Sequence, residues 1–385
     1  MADLLGRRNQ PGDTRAAMRW MPANGAYAAQ LADEVYASDP ESAGPLLEKA
    51  VHLNRYDAAS WIHLGLLHEA GNDLPRAEAA LLQAAGADCT FLPSWSLANF
   101  YFRHENASRF WYWAQRAAQM APDDASPLFR LAWYVSPDGA ELDRRLQLQR
   151  PAIEGQLVNF LIARGDAAGV TAASLHLLQT TNHGSIEPLL GACDWLIAGK
   201  HTDMALTIWN GLVARRDLPY PPLSAGSSEL VTNGKFEQQP EAHGFDWRVP
   251  AVDGVSSFLN ADPRELGFEL SGKEPDSFWL MREAVPVAPN RNYGLTVEYV
   301  TTSIAPGSGI VWSVTDGESG AELARTGSLS AEQGGKVRAC FTAPPGTASV
   351  NLSLNYQRQP GTVRPDGKVA LKEVRLAGIG AEDCG

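Results

Sequence analysis

Histidine, cysteine and paired carboxylates build most catalytic and metal centres, and in this chain none of them is grouped to do so. The eight histidines are dispersed. His63 and His68 stand five apart, which turns them to different faces of a helix and is not the spacing with which two histidines hold zinc in proteases. The four cysteines, Cys89, Cys193, Cys340 and Cys384, form no Cys-x-x-Cys pair, so a zinc site is not expected. Free, partly buried thiols are the expected state, with Cys340–Cys384 the one disulfide left open. There is no G-x-S-x-G elbow, no Walker loop and no G-x-G-x-x-G turn. No phrase singles out the two facing carboxylates of a glycosidase. No residue is therefore nominated as catalytic, and the chain is expected not to be an enzyme.

The charge balance narrows the partners. Net charge is −12, with 14 basic and 20 acidic residues from Glu229 onward and the remainder before it, so both halves are mildly acidic. Nucleic acid needs a basic face, and anionic lipid does too; neither is expected. No apolar run of about 20 residues is present, so no segment within the chain is expected to span a membrane.

Two kinds of element must position whatever function exists. Tyr27, Trp61, Trp95 and Phe129 are spaced 34 apart, as are Leu47 and Leu81, and Ala50, Ala84 and Ala118. A fixed period of that length is the mark of a stacked helical repeat. The clearest unit runs Trp61-Ile62-His63-Leu64-Gly65, then Asn72-Asp73 as a turn, then Pro75 through Ala84. Small residues at Gly65 and Ala77 let two helices approach, while Trp61 and Leu81 fill the space to the neighbouring repeat. The next unit has Phe110-Trp111 where a small residue belongs, within a dense aromatic stretch from Phe100 to Trp113. That stretch reads either as inter-repeat packing or as a docking patch. Upstream, Thr14–Met21 reads as a lone second helix. Downstream, 152–181 and 186–215 read as two more helix pairs, giving about six in all.

Leu218-Pro219-Tyr220-Pro221-Pro222-Leu223 breaks the helical pattern, and a Gly/Ser stretch follows. Beyond Glu229 the period changes to two. Tyr293, Leu295, Val297 and Tyr299 alternate with Gly294, Thr296 and Glu298; Val350, Leu352, Leu354 and Tyr356 alternate with Asn351, Ser353, Asn355 and Gln357. Several such strands over about 150 residues predict an antiparallel sandwich. The chain is thus expected to be α then β: a helical solenoid over 10–217, a Pro/Ser-rich linker over 218–228 and a β-sandwich over 229–380.

The order aromatic, Leu-Gly, Ala, large apolar, Ala resembles the tetratricopeptide repeat, strongly over about 24–135 and more weakly to about 215. That resemblance implies a right-handed α-solenoid whose groove binds a peptide or protein partner, with Leu66, Phe100 and Arg103 facing it; Trp113 is the candidate from the aromatic stretch. In the second half, Thr232-Asn233-Gly234-Lys235-Phe236-Glu237, Gly244-Phe245-Asp246-Trp247, Val285–Pro289 with Tyr293-Gly294-Leu295, Pro344–Val350 and Val369–Leu376 come in the order found in galactose-binding-like jelly rolls of bacterial carbohydrate-binding modules. What this resemblance implies is sugar binding: stacking on Trp247, Trp279 or Trp312, and hydrogen bonds from Asn351, Asn355 and Gln357. It also implies a structural calcium between Glu237 and an acidic pair before the last strand, where this chain has Lys372-Glu373.

The domain order is similar to exported, membrane-anchored repeat proteins of bacterial exopolysaccharide systems. The expectation is a non-catalytic scaffold that holds a protein on its repeats and polysaccharide on its sandwich. Its expected place is extracytoplasmic, through an anchor or leader outside the given chain, with a cytoplasmic location left open. A purely structural protein whose sandwich no longer binds sugar is the runner-up, and a glycan-active enzyme the third reading.

Overall fold

The computed structural model describes residues 11–180, 186–330 and 334–380. Among these, thirteen helices precede nine strands. The first, α1 (Pro11–Trp20), is followed by six consecutive pairs: α2 (Gly25–Tyr36) and α3 (Pro40–Leu53), α4 (Ala58–Ala70) and α5 (Leu74–Ala87), α6 (Phe91–Arg103) and α7 (Ala107–Gln119), α8 (Ser126–Val135) and α9 (Gly139–Leu146), α10 (Pro151–Arg164) and α11 (Ala167–Thr180), and α12 (Glu187–Ala198) and α13 (Thr202–Ala214). The chain divides into two compact units, Met1–Phe160 and Leu161–Gly385.

In the first unit α2 packs on α3, α4 on α5 and α6 on α7, and the hairpins meet one another through α3–α4 and α5–α6. This is a solenoid of stacked helix pairs. Local chemistry starts five of these helices: the side chains of Asn24, Asp39, Asp57, Asp73 and Asn106 accept hydrogen bonds from first-turn N–H groups, each cap contributing roughly 1 kcal/mol. The turn between paired helices repeats as well. Asn72 and Glu105 take positive φ, and the following residue closes back five positions, Asp73 N to His68 O at 2.8 Å and Asn106 N to Tyr101 O at 2.9 Å. Gly65 is small for a reason: a Cβ there would stand 2.7 Å from Leu81 Cγ. The spaced aromatics serve the core, with Tyr27 and Phe129 buried and Trp61 and Trp95 half-buried.

The second unit joins α11–α13 to a β-sandwich. One sheet has the order β1 (Val255–Ala261), β2 (Arg264–Ser271), β9 (Asp366–Gly378), β4 (Asn292–Thr302), β7 (Gly335–Thr342); the other has β3 (Ser277–Pro286), β8 (Ser349–Gln357), β5 (Ile310–Asp316), β6 (Glu322–Arg325). Every pairing is antiparallel. Only β1–β2 and β5–β6 join consecutive strands, so most connections cross between the sheets, as in a jelly roll. Inward-facing Tyr293, Leu295, Val297, Leu352, Leu354 and Val369 fill the space between the sheets.

The helix-to-strand switch occurs across the Pro-rich segment, but that segment does not divide the compact units and is not a loose tether. Leu218, Tyr220 and Leu223 are buried, Tyr220 stacks on Trp209 at 6.0 Å, and the Asn210 amide bonds both the N–H and the C=O of Leu223. Gly244 takes positive φ, and its missing Cβ leaves room for the Trp209 ring, which that Cβ would meet at 2.5 Å. The Asp194 carboxylate on α12 accepts from Gly244 N at 2.7 Å and pairs with His243 and Arg248. The last helix pair is thereby part of the sandwich's own packing, which is why the units separate at Phe160 rather than at 218–228.

Candidate functional site

The outward face of the β3-β8-β5-β6 sheet gathers polar side chains in register. On β8, Asn355 lies opposite Trp279 of β3 and Val311 of β5; Ser353 lies opposite Arg282 and Ser313; Asn351 lies opposite Ala284 and Thr315. A strand sends residues three apart to opposite faces, so Trp279 and Arg282 should not meet. They do because β3 is bulged between Trp279 and Met281, which returns Arg282 to the face that Trp279 occupies. The Arg282 guanidinium then lies 5.1 Å from the Trp279 ring centroid.

Hydrogen bonds fix this face before any ligand arrives. Arg282 Nε donates to Ser353 Oγ at 3.0 Å. Asn355 Nδ2 donates to Ser313 Oγ at 2.7 Å and to Ser353 O at 3.2 Å, which turns its Oδ1 outward as an acceptor. Ser313 and Ser353 are buried beneath; Trp279, Asn351 and Asn355 are half-buried and Gln357 is exposed. At one end Thr202 Oγ1 bonds Ser349 Oγ at 3.2 Å, so the start of α13 closes the face there. Burial, and then the neighbouring Arg248 charge, depress the Arg282 pKa from its ordinary value. Arg248 bonds Arg282 backbone to backbone, 2.8 and 3.0 Å, and its own charge is taken by Asp194.

Two candidate platforms are corrected. Trp247 and Trp312 are both 0% exposed and pack edge to face on each other, 5.8 Å between centroids, inside the sandwich. They are core, and a sugar cannot reach either ring.

Two carboxyls do stand out, but in the interior. Asp246 and Glu283 are each 0% exposed. Asp246 accepts from Tyr220 Oη, Glu241 N and Trp247 N, each at 2.7 Å; burial pushes its pKa up to about 6 against those bonds. Glu283 accepts from Thr232 N at 2.7 Å, and burial together with the neighbouring Asp246 raises its pKa well above the carboxylate range. Enclosed in this way, the pair organises the segment before β3 and faces no cleft in which a glycosidic bond could sit.

The calcium ligands implied by the resemblance do not fit the ion. Glu237 pairs with Arg264 at 3.3 Å and Glu373 with Lys235 at 4.0 Å, so each carboxylate already has a cation of its own. Among the described residues no three His, Cys, Asp or Glu side chains converge as a metal site, whereas calcium takes six to eight oxygens. Cys89 and Cys193 are free, Cys340 is disulfide-bonded, and Cys384 lies outside the described residues.

On the repeats, Leu66 is 40% exposed and lines a concavity of about 340 Å³ with Asp33, Tyr36 and His63. His63 Nδ1 stands 2.8 Å from Asp33 Oδ1. Arg103 is exposed but engaged, forking onto Glu69 at 2.8 and 2.6 Å, with His104 on the same carboxylate at 2.9 Å. Burial raises the Glu69 pKa, and the Arg103 and His104 bonds outweigh it, leaving the group below its usual range. Phe100 is corrected: at 4% exposure it packs inward against Tyr101 and His104 rather than facing a groove. Trp113 is half-buried under Arg116, and the rest of the stretch is mostly core, with Tyr101, Phe110 and Trp111 buried and Tyr112 exposed.

No family model matches the chain, and no curated protein matches it. The chain is similar to solved structures at low identity. One, described as CBM4 structure and function, is 9% identical, with 39% of this chain and 99% of that chain covered and a TM-score of 0.32. The tetratricopeptide protein YrrB, described with an unusual peptide-binding site, is 12% identical over 53% and 92%, at 0.28. PilF of Pseudomonas aeruginosa is 15% identical over 57% and 92%, at 0.29. The strand order and the helix pairs described above carry the fold assignment.

Arg282 was missed from sequence, as were Asp194, His243 and Arg248. Arg282 sits between Met281 and Glu283 with no motif around it, and only the bulge gives it its place. Among the described residues no helix is long and apolar enough to cross a membrane.

Proposed function

We propose that the chain is a non-catalytic adaptor whose sandwich binds a glycan on the outward face of β3-β8-β5-β6 and whose repeats hold a protein or peptide partner. The observation that carries the reading is the row of Asn351, Asn355, Arg282 and Trp279 on one sheet face, in which the buried Ser353 and Ser313 hydroxyls hold Arg282 and Asn355. Amides suit sugar hydroxyls because each offers a donor and an acceptor, and an adjacent aromatic ring covers the C–H surface of a pyranose. The partner reading rests on the concavity beside Leu66, whose lining includes the Asp33–His63 pair. An extracytoplasmic place, in exopolysaccharide assembly or export, is part of the proposal; a disulfide at Cys340 suits an oxidising compartment.

The runner-up, a sandwich that only packs, draws support from the enclosure of Trp247 and Trp312. One experiment separates the two. The full chain is titrated against a panel of neutral and acidic polysaccharides, alongside Trp279→Ala. Saturable binding that the substitution weakens supports the glycan reading, and no binding to any member of the panel favours the structural one.

A further inference from the structure

Arg282 is the residue of this face that a neutral sugar does not need. Its Nε–H is spent on Ser353, and its plane is steadied by the Trp279 ring. Both Nη groups are left over, a planar fork that matches the two oxygens of a carboxylate. Three arginines of the sandwich have acids, Arg248 with Asp194, Arg264 with Glu237 and Arg325 with Glu322; Arg282 is instead held in place by Ser353 and the Trp279 ring. Among the described residues no acid lies within ion-pair distance of Arg282, and its charged neighbour is another arginine, Arg248. A guanidinium partly withdrawn from water with both Nη groups unfilled is electrostatically unfavourable, and an anion in the fork relieves that.

We infer that the ligand of this face is an acidic glycan, with the carboxylate of a hexuronic acid seated in the Arg282 fork and the sugar hydroxyls on Asn351 and Asn355. The inference rests on the glycan reading of the same face and adds the charge of the ligand. Trp279 then acts chiefly by positioning: the guanidinium covers one face of the indole, so that face holds the fork in place instead of stacking a ring. Diffuse attraction cannot stand in for this contact. The chain carries −12 and repels a polyanion at long range, so a preference for one must come from a local, pre-oriented cation.

The test uses the full chain, polygalacturonate and the same polymer with its carboxyls reduced to alcohols. The expected result is binding to polygalacturonate at least about tenfold tighter than to the reduced polymer, since hydrogen bonds to a charged group are worth more than neutral ones. Arg282→Gln should remove the preference and leave weak binding to both. Arg282→Lys, which keeps the charge and loses the fork, should retain only a small part of it. Both variants give up the Nε bond to the buried Ser353 hydroxyl, so each should lower the unfolding midpoint by a few degrees and stay folded, which is checked in parallel. Equal affinity for the two polymers, or a preference that survives Arg282→Gln, overturns the inference while leaving the glycan reading in place. Binding to neither polymer overturns it as well, and the neutral members of the panel then decide the glycan reading separately.

Discussion

The two sheets of the sandwich turn unlike faces to solvent. On β1-β2-β9-β4-β7, two pairs close across the register, Glu298 with Lys336 at 2.9 Å and Glu269 with Lys368 at 3.3 Å, while Arg338 and Arg375 stand exposed opposite Thr296 with no acid in ion-pair distance among the described residues. On β3-β8-β5-β6, the outward row is amide, hydroxyl and a guanidinium without an acid, all held from beneath. Exposed Lys–Glu pairs of the first kind contribute about 0–1 kcal/mol, and no buried hydroxyl among the described residues holds the arginines beside them in one orientation. The second face keeps its hydrogen-bonding capacity in reserve. Residue types alone would rank the charged face as the more interactive; the fixed orientation of Arg282 and Asn355 reverses that order.

Four measurements would break or sharpen this contrast. The largest effect belongs to the layer beneath both faces. Trp247→Ala should lower stability by about 3–5 kcal/mol in a urea titration, whereas Trp279→Ala should change stability by no more than about 1 kcal/mol and lower glycan affinity at least about tenfold. If Trp279→Ala unfolds the protein as readily as Trp247→Ala, the face is structural.

Next is pH. The folded pKa of Asp246 is about 6, above its value in the unfolded chain, so between these limits the folded state binds more protons. Stability therefore falls as pH rises through about 4 to 6, by up to roughly 3 kcal/mol from this group. Glu283 acts in the same direction. Thermal unfolding midpoints at pH 4.5 and 7 check the sign. Asp246→Asn should flatten the slope, and no ligand should alter it, because the group is sealed from the face.

A smaller effect is expected from Asn355→Ala, which removes an outward acceptor and strands the Ser313 hydroxyl. About fivefold weaker glycan binding with a stability loss of roughly 1 kcal/mol is the expected outcome. Smallest is Lys336→Gln on the opposite sheet: a stability change within about 0.5 kcal/mol and unchanged affinity. A loss of affinity there would move the binding face to the other sheet.

Much of this was legible from residue order. The 34-residue spacing exposed the repeats because each hairpin must present the same filler to its neighbour, and Gly65 does stand where the two helices of its hairpin approach, though Leu81, expected to fill the space to the next repeat, packs on Gly65 within that hairpin. The strands declared themselves by alternation, and Ile310, Trp312 and Val314 alternating with Val311, Ser313 and Thr315 already hinted that Trp312 points inward. Trp247 gave no such hint, since it lies outside any strand. The approach of Arg282 to Trp279 was hidden because one bulged residue reverses the parity that alternation relies on. Phe100 was misplaced because a helix inside a stack has neighbours on more than one side, so a family position does not settle exposure. The grip of Asp194 on His243 and Arg248 joins residues about fifty apart, across a change of secondary structure, where no local pattern reaches.

That grip bears on how portable the sandwich is. A break at the Pro-rich segment would strip Trp209 from Gly244 and Tyr220, and Asp194 from its three donors. The smallest heritable cassette therefore begins upstream of the strands, near residue 161, and carries α11–α13 as its own floor. Recombination that moved only the strands into another protein would deliver a module with an open seam, sticky toward any apolar neighbour. Gene fusions that preserve the module should cut before those helices, and expressed fragments should stay in solution only when they do.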